Sequence, residues 1–240
     1  MFMRRLRERT VAATVWVCSG AVTLLTLAVV VALYVRARPV LTAHPLGELL
    51  TGTDWEPAAG HFGFRPFLVG TLWVTLLAMA LATPVCLLTA IYLAEYAGPR
   101  ARALLLPLID VLAGIPSVVY GLFGVLVIVP LVGKYLAPWA AQHLGRVPWL
   151  APRDFCTGYS LLAGALVLAL MVIPFIVAVA EQVLRGVPEA MREASLALGA
   201  TRWETVKHVT TRAALPGLVA AVVLGFSRAF GETMAVLMVV

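Results

Sequence analysis

Long stretches of this chain run without a single charged side chain: Thr10 to Val35, Phe67 to Ala94, Val111 to Gly133 and Phe155 to Ala180. A helix rising 1.5 Å per residue needs about 20 residues to cross the hydrocarbon core of a bilayer, and each stretch is longer than that. A further stretch, Ala213 to Val240, is interrupted only by Arg228 and Glu232. With 62% apolar and 12% charged residues, the chain cannot cover a soluble surface, and an all-α, polytopic membrane protein is the class that remains. Five membrane helices are expected. The chain stops at Val240 at the end of an apolar stretch with no polar tail, so a continuation is expected there.

The net charge of +6 is distributed in a way that excludes nucleic acid as its purpose. Arg4, Arg5, Arg7 and Arg9 crowd the N-terminus, Arg100 and Arg102 fill a short turn, and Arg185, Arg192, Arg202, Lys207 and Arg212 sit in one later loop. The alternate segments hold fewer: Arg36, Arg38, Arg65, Lys134, Arg146 and Arg153. Basic residues accumulate on the cytoplasmic side of membrane proteins, which places the N-terminus inside. The first apolar run is too long for a cleavable signal, so it reads as a retained helix.

The resulting organisation is an N-terminal cytoplasmic tail and first transmembrane helix (1–35), an extracytoplasmic loop (36–66), and a transmembrane core (67–240). The core contains a short turn near 95–102, a second outer loop near 134–157, and a cytoplasmic loop at 181–212. The first outer loop, with its Gly, Pro and acidic residues, reads as irregular. In the second, Trp139 and Trp149 read as interfacial anchors. Pro84, Pro116, Pro174 and Pro216 fall in or near the spans and predict kinked or broken helices. In "LAGIPSVVYG", Gly114, Pro116 and Gly121 predict a bend that packs closely or lines a cavity, and Asp110 lies one turn earlier. Cys18, Cys86 and Cys156 have no metal-like spacing and read as packing residues; His44, His61, His143 and His208 are scattered.

The cytoplasmic loop is too regular for a passive linker. Pro188 suits the first turn of a helix, and Glu189 and Glu193 favour its positive end. Gly199 is placed to stop that helix in a left-handed cap. Thr201 and Glu204 then form T-x-x-E, a capping-box pattern opening a second helix through Trp203, Val206 and Val209. Two short helices around Gly199 and Ala200 make a rigid protrusion fit for docking a partner, or an amphipathic hairpin on the membrane surface.

Arg228 and Glu232 are the costly residues, since each charge at mid-bilayer costs ~2.5–3.5 kcal/mol on insertion scales. Their spacing of four places them on one face of a continuous helix. They form a neutralising pair, or else they face a water-filled path, where a guanidinium offers oxyanions a bidentate donor fork. On that second reading Arg228 grips the anion and Glu232 loosens the grip, by competing for Arg228 or repelling the anion. Ser117, Ser227 and Thr233 are weaker candidates, as hydroxyl donors.

The loop resembles the E-A-A-x-x-x-G coupling loop of ABC importer permeases, with Glu193, Ala194, Ser195 and Gly199 in register. In that family the loop's helix sits in a cleft of the ATP-hydrolysing subunit and passes its movement to the membrane helices. The downstream Leu-Pro of the pattern is displaced: Thr211 and Arg212 stand in its place, and Leu215 and Pro216 come four residues later. With "GTDWEP", "FGFRPFLVGT", "LAGIPSVVYGLFG", "SLALGATRWE" and "RAFGETMAVLMV", residues 46–240 resemble the C-type permease subunits of phosphate-specific ABC importers.

The resemblance implies a type I ABC importer transmembrane domain with a sixth helix beyond the "GETMAV" segment, in the bacterial cytoplasmic membrane and among its lipids. It further implies an A-type permease partner, an ATPase dimer coupled through Glu193 to Ala200, an extracytoplasmic phosphate-binding protein, and charged residues of functional weight at Arg228 and Glu232. No G-x-x-x-x-G-K-[ST] occurs, so ATP and magnesium are expected on the partner ATPase and no cofactor on this chain, a non-catalytic subunit. The alternatives are a permease for another oxyanion such as sulfate or molybdate, and a membrane assembly or signalling protein that does not transport.

Overall fold

The computed structural model describes residues 2–136, 138 and 158–240, with the backbone alone for residues 2–10. Trp139, His143, Arg146, Trp149, Arg153 and Cys156 lie outside the described residues, as do the side chains of Arg4, Arg5, Arg7 and Arg9. The chain divides into two compact units, Met1–Phe67 and Leu68–Val240.

The first unit begins with α1, Phe2–Ala43, whose apolar side chains from Val11 to Val35 are all exposed. Cys18 is among them, so it does not pack within this unit. The segment that follows is not irregular. It holds a short helix, α2 (Leu46–Thr51), and a hairpin of β1 (Trp55–Glu56) and β2 (His61–Phe62) paired Trp55 to Phe62 and Glu56 to His61. Aromatic rings stand in for a larger core: Trp55 meets Phe62, Phe64 and Phe67 at centroid distances of 6.0, 5.4 and 5.1 Å. Gly63 is required by close approach, because a Cβ there would lie 2.5 Å from the carbonyl carbon of Gly52.

The second unit is a helical bundle around α6, Leu161–Arg185. Ser160 starts this helix by accepting the Ala163 amide at 3.2 Å, and Gly186 ends it. α3 spans Arg65–Tyr96, finishing in a π-helical turn, Tyr92–Tyr96. α4 is Pro99–Ala113, α5 spans Ser117–Leu136, and α8 spans Arg202–Phe230. A surface helix, α7 (Glu189–Ala197), precedes α8, and a short α9 (Met234–Leu237) follows it. Among the described residues, five helices are long and apolar enough to cross a membrane: α1, α3, α5, α6 and α8.

Small residues let these helices approach closely, as membrane packing requires in the absence of a hydrophobic driving force. Ala78, Ala82 and Cys86 of α3 pack with Ala165, Leu168, Val172 and Ile176 of α6 in the main core. On α8, a Cβ added to Gly217 or Gly225 would lie 2.4 Å from a side-chain carbon of Val183 or Ile176. Cys86 is buried and donates its thiol to the Ile173 carbonyl at 3.7 Å.

Several sequence expectations change here. α3, α6 and α8 run unbroken through Pro84, Pro174 and Pro216, whereas Pro116 marks a true interruption. α4 ends at Gly114, Pro116 starts α5, and the hydroxyl of Tyr120 donates to the Leu112 carbonyl at 2.9 Å across the gap. The turn expected near 95–102 is largely helical, since Tyr92–Tyr96 completes α3 and α4 begins at Pro99.

Candidate functional site

Two regions collect the residues that sequence singles out. The first is the end of α8. A helix ending inside a membrane leaves carbonyls without partners on one side of the break and amides on the other. α8 stops at Phe230, Gly231 caps it, and α9 starts only at Met234. Arg228 and Glu232 therefore do not share a helical face, which corrects the expectation from their spacing. Each instead stands at the helix end that suits its charge: Arg228 in the last turn of α8, at the negative end, and Glu232 just before α9, at the positive end. The Glu232 carboxylate accepts the Ala235 amide at 3.3 Å and so satisfies one orphan donor.

Among the described residues, the ion pairs are Arg102–Glu181, Arg185–Glu181 and Arg192–Glu95, and Arg228 with Glu232 is not one of them. The Arg228 guanidinium lies 5.3 Å over the ring of Phe175, on α6. Arg228 is exposed on the surface of its unit, as are Ser227 and Thr233, while Ser117 and Glu232 are half-buried. Ser227 spends its hydroxyl proton on the Val223 carbonyl at 3.0 Å, which leaves it an acceptor toward any ligand. α9 and the residues just after it pack on α5 through glycine: a Cβ on Gly121 would lie 3.2 Å from the Ala235 Cα, and one on Gly124 would lie 2.7 Å from Val239. Two interrupted helices thus meet, α4/α5 at Gly114–Pro116 and α8/α9 at Gly231–Thr233.

The second region is the connection between α6 and α8. Pro188 precedes α7, Gly199 adopts φ +86°, and Thr201 and Glu204 form a complete capping box. The connection is shorter than expected, because Glu181 still belongs to α6 and the second helix is the start of α8 itself, continuous through a π-helical turn at Val206–Thr210. Glu193, Ala194 and Gly199 are exposed, and Ser195 and Ala200 are half-buried. The Ser195 hydroxyl meets that of Thr205 at 2.9 Å, tying α7 to α8. Met191, Leu196, Leu198 and Trp203 leave apolar surface exposed around the turn.

Sequence reading missed what holds this connection down. Arg192 donates to Glu95 Oε1 from Nε and Nη2 at 3.1 and 2.9 Å, and to the carbonyls of Val187 and Leu184 at 2.7 and 2.8 Å. Arg202 donates to the Glu95 carbonyl and sits 4.9 Å over the Tyr96 ring. Beside them, Arg102 of α4 pairs with the buried Glu181 of α6. The only signal in the sequence was the excess of arginine in these loops.

The bundle, with five helices among the described residues long and apolar enough to cross a membrane and a strapped α6–α8 connection, defines a multi-pass α-helical membrane protein. Comparison with known proteins gives this class a family. Residues 86–240 match the family described as binding-protein-dependent transport system inner membrane component, and the chain belongs to that family. It is 40% identical over 195 residues to a probable ABC transporter permease, YqgH, of Bacillus subtilis, covering 80% of this chain and 58% of that protein. The phosphate transport system permease PstC of Haemophilus influenzae is 37% identical over 196 residues, covering 81% of this chain and 62% of that one. PstC of Xylella fastidiosa is 36% identical over 190 residues, covering 78% and 59%. The chain thus spans about three fifths of the length of the curated relatives it matches.

Proposed function

We propose that this chain is the C-type permease subunit of an ATP-driven importer of inorganic phosphate in the bacterial cytoplasmic membrane. The observation that carries the reading is the interrupted last helix: it holds an always-charged guanidinium exposed on the unit's surface, beside a second interrupted helix, in a chain whose relatives are named as phosphate permeases. Discontinuous helices place free backbone ends where a membrane protein handles an ion. An exposed arginine inside a membrane span needs a partner subunit or a water-filled path against it.

On this reading Arg228 takes two oxygens of the anion through its donor fork. Glu232, held to the Ala235 amide, sets the electrostatic limit on how tightly the anion is kept, and lets it go. Thr233 and Ser117 supply hydroxyl donors, and Ser227 contributes its lone pairs. A related A-type permease closes the path from the other side, and an extracytoplasmic binding protein delivers phosphate to it. An ATPase dimer, which binds ATP and magnesium, receives the exposed surface of Glu193, Ala194, Ser195, Gly199 and Ala200. The N-terminus and the α6–α8 connection then lie in the cytoplasm and residues 36–66 outside it.

The test is uptake of labelled phosphate by proteoliposomes containing this chain with its permease and ATPase partners. Uptake requires ATP, falls in Arg228 and Glu193 variants, and resists competition by sulfate and molybdate. Stronger competition by either oxyanion assigns the substrate to it instead. Uptake unchanged by both variants removes the site assignments.

A further inference from the structure

α7 is attached to the rest of its unit mainly by polar contacts. None of its residues is buried, so apolar packing does not fix its position. Its attachment to α6 is the contact from Arg192 to the Leu184 carbonyl, in the last turn of that helix, where a cation is favoured; a second contact reaches the Val187 carbonyl just beyond the Gly186 cap. Its attachment to α8 is the Ser195–Thr205 contact together with the continuous chain. Among the described residues, Arg192 ties α7 to α3 by two hydrogen bonds to the Glu95 carboxylate, and Glu95 also receives, at its carbonyl, the arginine that opens α8. One short turn at the end of α3 thus takes an arginine from each arm of the connection.

We propose that Glu95 is the positioning residue through which a displacement of α7 reaches α3; this rests on the permease reading above. The physical reason lies in the kind of contact. Apolar contacts between helices are non-directional and let surfaces slide, whereas two charge-assisted hydrogen bonds on one oxygen fix distance and angle together. The pair is sheltered, with side-chain exposures of 9% for Glu95 and 20% for Arg192, so salt screens it weakly. Tyr96 backs it by taking the Arg202 guanidinium on its ring. A push on α7 therefore moves α3 with it.

The experiment compares wild type, Glu95→Gln, Arg192→Gln and the double variant in the reconstituted complex, measuring phosphate uptake and ATP hydrolysis in the same vesicles. In Glu95→Gln, hydrolysis stays within about twofold while uptake per ATP falls about tenfold, the loss expected when a hydrogen bond between charged groups becomes a neutral one. The double variant is no worse than the poorer single variant, because both remove one contact. Glu95→Gln retains an acceptor, so the complex still assembles, and its thermal midpoint falls by no more than a few degrees. Uptake per ATP equal to wild type overturns the proposal, as does a loss matched by the loss of assembled complex, or a double loss equal to the product of the single ones.

A second arm does not depend on phosphate. Hydrogen exchange at residues 92–97 responds to nucleotide in the wild-type complex, and the response is lost in Glu95→Gln. An equal response in both overturns the joint whatever the substrate. Wild-type vesicles that take up no phosphate overturn the functional reading, and the exchange arm then decides the joint alone.

Discussion

The guanidinium of Arg228 rests 5.3 Å over the ring of Phe175, held by an aromatic face rather than by the carboxylate four residues ahead of it. An aromatic face attracts a cation without occupying its hydrogen-bond donors, so the fork of Arg228 stays available to an oxyanion.

Replacing Arg228 by Lys keeps the charge and removes the fork. Phosphate uptake is expected to fall about tenfold or more, with complex abundance unchanged, since one of two parallel hydrogen bonds is lost. Phe175→Leu removes the face and leaves the donors, and a smaller loss is expected. Initial rates of labelled uptake at saturating ATP measure both, and full activity of the Lys variant rules out bidentate binding.

Glu232 caps α9, and capping is measurable apart from transport. Glu232→Ala is expected to speed hydrogen exchange at the Ala235 amide about fivefold, corresponding to a cap of ~1 kcal/mol. Glu232→Gln retains an acceptor and should leave that exchange near the wild-type rate while changing phosphate release. Equal exchange in all the proteins would show that the carboxylate does not hold the turn.

Glu181 is buried at 2% exposure between Arg102 and, at 4.0 Å, Arg185. Arg102→Ala leaves that carboxylate poorly compensated and is expected to destabilise the bundle by about 3 kcal/mol. Because an apolar pair of similar volume is often tolerated at such a site, the double variant Arg102→Met/Glu181→Leu should recover most of the loss. Thermal unfolding in detergent, followed by the exposure of buried Cys86, reads both.

Topology is testable with cysteine reporters after replacing Cys18, Cys86 and Cys156 by Ala. An impermeant maleimide should label Asp54→Cys in intact cells and Glu189→Cys only after permeabilisation. The reverse pattern inverts the orientation drawn from the arginine bias.

What was legible in the sequence was whatever depends on near neighbours. Gly199 with its positive φ and the Thr201–Glu204 box are fixed by residues a turn apart, and each stands where the pattern placed it. The apolar runs, likewise, are a property of single stretches, and five spanning helices follow from them. The break at Gly231 was hidden because a lone glycine is tolerated within a helix, and the constant four-residue spacing of Arg228 and Glu232 implied a shared face. Arg192 and Arg202 were read only as basic residues of a loop, and Glu95 was not singled out. Their partners lie 97 and 107 residues away along the chain, and no local pattern encodes such a meeting.

The π-helical turns have a consequence of their own. Such a turn holds one residue more than the regular pitch, so it sets whatever follows out of phase by about 100°. In α8, the turn at Val206–Thr210 divides the stretch bearing Trp203 and Thr205 from the stretch bearing Leu218 and Arg228. The two ends of one continuous rod therefore choose their rotational settings separately. Removing a single residue from that turn would re-aim the end that carries Trp203 relative to the end that carries Arg228.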